Sequence, residues 1–419
     1  MARVIHLSSS DIGGAGIAAY RIHSDFILSG ISSLMLVENA TIDDESIISY
    51  SKVNSLTFFL KKVKSRLNFY RRYVANLIDQ KYLFFSLFNS RCIKKSDWIS
   101  SFITDDTEAI FVHWTAGFIS LSDVENVIKG RSIKVYINLV DMAHFTGGCH
   151  YSFGCNGYEK QCFNCPATSS TKLSRRIRDN IRANAIAVKN MKASAISFSQ
   201  FTLSQAVNSV VPFDKYHFMR QPIHEDKFFC EYNIETTDED SVLTKRILMG
   251  SYNKNDERKG YFTFLLAMNR LAVLLERSRF KVVVCVPEGD DWSDLEHETI
   301  SVSYYQKAIN DKELRELYLS SDLFVNTSID DTGPLMLAEA LFCGIPVVSS
   351  KTGCAIELLS YDNKLGDLVD IMDHNEFAVK IFSRLFNVDS SKYNSKQIGE
   401  SSKKFYDKAI NYTDLVNKC

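Results

Sequence analysis

The stretch from Asp330 to Val348, DDTGPLMLAEALFCGIPVV, constrains the fold more than any other part of the chain. Read physically, it is a loop, a short helix, an abrupt stop and a buried strand. Gly333 can take any φ the loop needs, and Pro334 suits the first helical position. Leu335, Leu337, Leu341 and Phe342 supply apolar side chains at helical spacings. Gly344 is a natural residue just past a helix end, and Pro346 blocks continuation before Val347 and Val348 open a strand. The N-terminus of such a helix offers unpaired N–H groups and a positive dipole end, which can hold a phosphate. Glu339 lies roughly 7 Å along the axis from Pro334, at about 1.5 Å per residue. A phosphate at the tip therefore leaves Glu339 within a sugar's reach. Taken alone, the stretch is equally well an ordinary βα unit with a capped helix.

The strand, small-residue loop and helix pattern recurs along the chain. Val4 to Leu7 reads as a buried strand, followed by SSSDIGGAG (8–16) and a helix with Ile17, Tyr20, Ile22 and Phe26 on its apolar face. The glycines let the backbone approach a ligand closely, although the spacing is not that of a dinucleotide fingerprint. A plain tight βα turn remains open on these residues. Ala109 to Trp114 and Lys134 to Val140 are further strands, the second delivering Asp141 at its C-terminal end, where functional groups of open α/β sheets gather. Ala195 to Ser199 follows, with a helix from Phe201 to Val207. Met219 to Asp226 has the composition of a linker, and the acidic run from Glu235 to Asp240 reads as an exposed loop. The pattern then restarts at Arg246 to Gly250, with Arg258, Lys259 and Gly260 before a helix from Phe262 to Leu275. Strands at 281–286 and 322–326 lead into the opening stretch, and residues 401–417 read as a last helix. The expectation is α/β, two consecutive doubly wound halves. Its bounds are 1–222, 223–400 and a terminal helix, 401–419, returning to the first half.

Length and charge agree with that division. A chain of 419 residues exceeds one ordinary core. The net charge of −1 hides a split. Residues 1–222 hold 26 Lys and Arg against 17 Asp and Glu, a balance of +9, and the remainder hold 23 against 33, a balance of −10. Anionic partners are thereby directed to the first half. The segment 52–95 concentrates the effect. Lys52, Lys61, Lys62, Lys64, Arg66, Arg71, Arg72, Lys81, Arg91, Lys94 and Lys95 face a single acid, Asp79, with aromatic residues such as Phe58, Phe59, Tyr70 and Phe84 interleaved. An anionic bilayer surface, a solvated helical hairpin and single-stranded nucleic acid all fit this pattern. The near-neutral whole speaks against nucleic acid. No run approaches the ~20 apolar residues of a membrane span, and the N-terminus reads directly into a strand, so a cytoplasmic chain is expected.

Cys149, Cys155, Cys162 and Cys165 fall close together, the last two as a C-x2-C pair. Four thiolates with such a knuckle suit a closed structural zinc site. Unligated or redox thiols and disulfides are the alternatives, and His150 could replace a thiol. A closed set of four sulfurs leaves no open catalytic position.

The ordered set HLSSSDIGG (6–14), VHW (112–114), Asp141-Met142 with FTGGCHY (145–151), RKG (258–260) and the Asp331 to Glu339 spacing with GIPVV (344–348) resembles the GT-B glycosyltransferases of glycosyltransferase family 4. The likeness is to the branch that builds bacterial surface polysaccharides, which carries a similar Cys cluster. The resemblance implies two Rossmann-like domains facing each other across a cleft, with a nucleotide-sugar donor of UDP or GDP type held mainly by the second. It implies retention of anomeric configuration and no metal for catalysis. The acceptor would be lipid-linked or a growing glycan at the inner face of the membrane. Glu339 would bind the ribose hydroxyls, and Gly333, Pro334 and Leu335 would present backbone to the donor. Arg258 and Lys259 would neutralise the leaving diphosphate, Asp331 would sit near the donor sugar, and Gly13 and Gly14 would approach the diphosphate from the other domain. Asp141 matches the acid of a His-Asp-Met triplet, but the histidine is replaced by Val140. Asp331 stands where Glu is usual. A non-catalytic subunit with the same fold is the alternative.

Overall fold

The computed structural model describes residues 3–53, 77–88, 93–221, 223–229, 243–251, 253–307, 310–386, 395–407 and 411–417. The chain divides into two compact units, residues 1–222 with 410–419, and residues 223–409. Residues 54–76 and 89–92, the greater part of the basic aromatic segment, lie outside the described residues, as does the acidic run 235–240.

In the first unit, β1 (Arg3–Ser10) leads through a short loop into α1 (Gly13–Leu28), then β2 (Ser32–Asn39) and β3 (Ile47–Ser49). The rest comprises α2 (Ile93–Ser100), β4 (Thr107–Val112), α3 (Leu121–Ile128), β5 (Lys134–Asn138), α4 (Thr171–Met191), β6 (Ser194–Ser197), α5 (Gln200–Asn208) and β7 (Tyr216–Phe218). Every pairing is parallel, and the order is β3-β2-β1-β4-β5-β6-β7. Strands covered on both faces read as unbroken apolar runs, and β1 is buried from Val4 to Ser9.

The second unit repeats the plan. Its elements are β8 (Thr244–Met249), α6 (Tyr261–Leu275), β9 (Lys281–Pro287), β10 (Ile300–Tyr305), α7 (Asp311–Leu319), β11 (Leu323–Asn326), α8 (Leu335–Phe342), β12 (Val347–Ser350), α9 (Ala355–Tyr361), β13 (Gly366–Val369), α10 (His374–Phe386) and α11 (Ser395–Asp407). The parallel order is β10-β9-β8-β11-β12-β13. Alternation along β8 serves two cores. Ile247 packs with α6 and α10 residues such as Phe264 and Phe377, while Leu248 packs with Leu337 and Leu341 of α8.

The two doubly wound sheets expected from the sequence are both present. In each, strand order reverses at one point, between β1 and β4 and between β8 and β11. Crevices at such reversals, outside the carboxyl ends of the strands, are where ligands bind in open α/β sheets. Two local expectations change. Pro334 is the residue before α8, extended at φ −68° and ψ 122°, and the helix begins at Leu335. The single terminal helix expected over 401–417 is two pieces. α11 stays in the second unit, with Ile398 and Phe405 in its core. A short turn of helix, α12 (Asp414–Asn417), belongs to the first unit, where Tyr136 Oη donates to the Leu415 carbonyl at 2.9 Å.

Candidate functional site

In the second unit, the loop after β8 carries Arg258 and Lys259 and ends in Gly260. That glycine has φ +68°, and a Cβ there would lie 1.9 Å from the Thr327 carbonyl oxygen. Only glycine permits this approach. The approach brings the loop against the end of β11. Thr327 Oγ1 donates to the carbonyls of Lys259 and Gly260 at 3.1 Å each, and Ile329 N donates to the Arg258 carbonyl at 2.8 Å. The two cations are thereby aimed at one acid. Lys259 Nζ lies 2.7 Å and Arg258 Nη1 2.8 Å from the same oxygen, Oδ2, of Asp331. The other oxygen, Oδ1, accepts the Gly333 N–H at 3.1 Å, which ties the acid to the loop before α8. Arg258 Nη2 also donates to Asp256 at 2.9 Å, a partner that the sequence reading did not name.

Burial by itself raises the Asp331 carboxyl, but the Lys259 and Arg258 charges outweigh it and hold it at about 2. Burial lowers the Lys259 ammonium, and the Asp331 charge opposes that shift. The set is thus an ionised cluster at the strand reversal. Glu339, on α8, is 2% exposed and accepts the Tyr318 hydroxyl at 2.8 Å. Arg258, Lys259, Asp331, Gly333, Pro334, Leu335 and Glu339 therefore occupy one end of this unit, on two loops and the helix they adjoin.

In the first unit, Gly13 and Gly14 open α1 at the end of β1, and a Cβ on either would meet nothing within 4 Å. The tight position is Gly16, where a Cβ would come within 2.8 Å of the Asp11 carbonyl carbon and the Ser10 carbonyl oxygen. Gly16 lets helix and strand approach, and Gly13 and Gly14 leave backbone open to a ligand. Asp11 fixes the neighbouring loop by accepting the N–H groups of Thr41 and Ile42 at 2.7 Å each.

Asp141 follows β5 as expected and is almost wholly buried. Its Oδ1 accepts the Ala143 N–H at 2.8 Å, and its Oδ2 lies 2.6 Å from His150 Nδ1. Burial pushes this carboxyl up, but His150 and the Ala143 hydrogen bond outweigh it, so the net displacement is downward. Trp114 and Ser86 close around the imidazole, with Ser86 Oγ 3.1 Å from Nε2. His150 is therefore the partner of Asp141, and it does not line the cavity that the thiols share. The two histidines near the Val140 position have other partners. His144 donates from Nε2 to the His113 carbonyl at 2.8 Å, and the His113 ring joins His6 and Asn138 at 2.9 and 2.8 Å in the sheet interior.

Cys149, Cys155, Cys162 and Cys165 all line one cavity of ≈ 20 Å³, together with Tyr82, Phe84, Tyr158 and Ile177. All four are free thiols. Burial raises the Cys149 thiol well above its ordinary value and Cys162 to about 12. The Gly157 N–H donates to Cys155 Sγ at 3.4 Å, and the backbones at Gly147 and Ala167 approach Cys162 and Cys165. Among the described residues, no three His, Cys, Asp or Glu side chains are arranged as a set of metal ligands.

Of the segment 52–95, two of the described cations have ion-pair partners. Lys81 pairs with Asp79 at 3.3 Å and Lys95 with Glu38 at 2.6 Å. Among the described residues, no helix is long and apolar enough to cross a membrane.

Residues 233–398, under half of the chain, match the family model for Glycosyl transferases group 1. Solved structures resemble the whole length. A glycosyltransferase from Rickettsia africae superposes at TM-score 0.60 and 13% identity, over 100% of this chain and 96% of that one. Sucrose-phosphate synthase from Thermosynechococcus elongatus gives 0.61 and 13%, over 100% and 97%. HepE of Anabaena, solved in complex with UDP and glucose, gives 0.57 and 12%, over 97% and 96%. The fold is GT-B. The GT-B plan accounts for both sheets. No curated protein matches the sequence significantly.

Proposed function

We propose that this chain is a retaining glycosyltransferase of family 4. It moves a sugar from a nucleotide-sugar donor, of UDP or GDP type, to a lipid-linked or growing glycan acceptor in bacterial surface polysaccharide biosynthesis. The observation that carries the reading is the convergence of Lys259 and Arg258 on Asp331 beside the N-terminal end of α8, with Glu339 on the same helix. The match of residues 233–398 to glycosyl transferases group 1 supports it, as do structural relatives described as binding UDP and UDP-glucose or as acting in lipopolysaccharide biosynthesis.

In this reading, the bond from the anomeric carbon to the donor phosphate breaks and a bond to the acceptor hydroxyl forms. The diphosphate leaves with an added negative charge, and the acceptor hydroxyl gives up a proton. Lys259 and Arg258 stabilise the charge that develops, the largest single contribution such a site can make. In the donor-free chain Asp331 holds the two cations in place, and with donor bound it lies toward the sugar. Gly333, Pro334 and Leu335 bring backbone to the diphosphate. Glu339 binds ribose hydroxyls and is neither acid nor base. Asp141, oriented by His150, serves the reacting hydroxyls. Incubation with radiolabelled nucleotide sugars and a membrane extract tests the activity, and turnover that survives Glu339→Ala overturns the assignment of that residue.

A second reading, a non-catalytic GT-B subunit of a synthesis complex, is favoured by Val140 at the position where the resemblance expects histidine. Donor turnover dependent on Lys259 removes it. We also propose that the four thiols around one cavity form a structural zinc site, their approaching backbone donors being suited to thiolate sulfur. Less than one zinc per ~4 chains in metal-replete protein rejects this, because a structural site should be filled. The protein is proposed to bind the inner face of the membrane through the basic first unit. Pelleting with anionic vesicles that is unchanged by reversing Lys61, Lys62 and Lys64 rejects the segment as the contact.

A further inference from the structure

Glu339 is oriented by a residue far from it in sequence. Its Oε2 receives the Tyr318 hydroxyl at 2.8 Å, and the two side chains are 2% and 0% exposed. Tyr318 belongs to α7, and its ring sits edge-on between Phe228, centroids 6.3 Å apart, and Phe324, 6.4 Å apart. Packing on two sides sets the position of the ring, and the ring sets the position of the hydroxyl. Leu337, Leu341 and Leu248 lie in the same core. A carboxylate in such a place is costly unless hydrogen-bonded, and a pair kept only for packing would be as well served by two apolar side chains.

We propose that Tyr318 is a positioning residue for nucleotide binding. It fixes the plane of the Glu339 carboxylate so that it meets the hydroxyls of a ribose. The inference rests on the reading of Glu339 as the donor-binding carboxylate. A carboxylate able to rotate about its last torsion loses part of its hydrogen bonding to a vicinal diol, whereas one anchored through Oε2 arrives pre-oriented.

Titration calorimetry with UDP and GDP, their 2′,3′-dideoxy analogues and inorganic pyrophosphate tests it on the full chain. Tyr318→Phe should weaken the nucleoside diphosphate that wild type binds by about 5–30-fold, through lost orientation of the carboxylate. It should leave pyrophosphate and the dideoxy analogue unchanged. In turnover, KM for the donor should rise by the same factor with kcat within about twofold, since uniform binding is lost. In a Glu339→Gln background, where no buried charge is left unpaired, adding Tyr318→Phe should cost no further affinity. This second comparison keeps the test open if Tyr318→Phe alone folds poorly.

Equal losses for all ligands, or additive losses in the double variant, overturn the proposal in favour of a packing role. So does a lowered melting temperature with unchanged nucleotide affinity. A wild-type protein that binds neither diphosphate overturns the donor reading and this inference with it. Wild-type binding that Glu339→Gln weakens and Tyr318→Phe leaves unchanged overturns the role of Tyr318 alone.

Discussion

The charged groups at the strand ends of the two units are built in opposite ways. In the second unit, which has a net charge of −10, two cations converge on the single oxygen of Asp331, and the neighbouring helix end adds backbone donors. In the first unit, with its balance of +9, the buried group is an anion, Asp141, held by the His150 imidazole and a backbone N–H. Net charge thus says little about what a site presents. In the function proposed above, the acidic unit offers cations to a phosphate, and the basic unit offers a carboxylate and an imidazole to hydroxyls. On that proposal the first arrangement stabilises a leaving anion, and the second orients groups that exchange protons.

Removing the cation should show the largest effect. Lys259→Ala should lower kcat by about 10²–10³ while leaving the fold intact, by analogy with removal of one donor aimed at developing charge. Steady-state kinetics and circular dichroism check both halves of that statement. If kcat falls less than tenfold, the contrast between a charge-stabilising unit and a hydroxyl-orienting unit is lost.

The Asp141 pair comes next. His150→Phe leaves a buried carboxylate short of a partner, and should cost about 1–3 kcal/mol of stability by urea denaturation. His150→Gln, which can still donate, should recover part of it. Asp141 titrates lower in the folded chain, so its contribution is present above its unfolded value and is lost as pH falls through the folded one.

Asp331 gives a sharper pH signature. Its carboxyl is held at about 2 when folded, against an ordinary value of 3.8. The folded value is depressed, so the stabilisation is complete above about pH 4 and disappears as pH falls toward about 2. The linkage is worth on the order of 2 kcal/mol at neutral pH. Wild type should therefore lose stability over that window, and Asp331→Asn should not show the same slope. Equal slopes would place the acid-sensitive group elsewhere. The smallest expected effect is at the exposed pair of Lys81 and Asp79, where Lys81→Ala should change stability by less than about 1 kcal/mol.

Much of the molecule was legible before any coordinates. The helix from Leu335 to Phe342 and the strand after it follow from Gly344, Pro346 and the spacing of four apolar residues, all of them local signals. The α1 loop was legible in part. Gly13 and Gly14 announce a tight turn, but Gly16 is the residue that a side chain would disrupt, because the Ser10 and Asp11 backbone lies against it. The terminal helix was legible in part: its last residues join the first unit, but the helix is not continuous, because Phe405 and Tyr412 keep helical spacing while belonging to different units. Periodicity reports a face, but it cannot report which core that face joins.

What the sequence determined by itself was therefore the succession of strands and helices, the parallel α/β class and the loops that carry the site. These depend on propensities and apolar spacing over a few residues, which a string records directly. Tertiary structure alone decided the partners. Asp331 meets Lys259 across 72 positions, Glu339 meets Tyr318 across 21, and Asp141 chooses His150 over the nearer His144. Each choice follows from strand order and from which backbone can pass closest to which, as at Gly260 against Thr327. Hydrogen bonds and ion pairs act over about 3 Å, and only the folded chain brings those atoms that near.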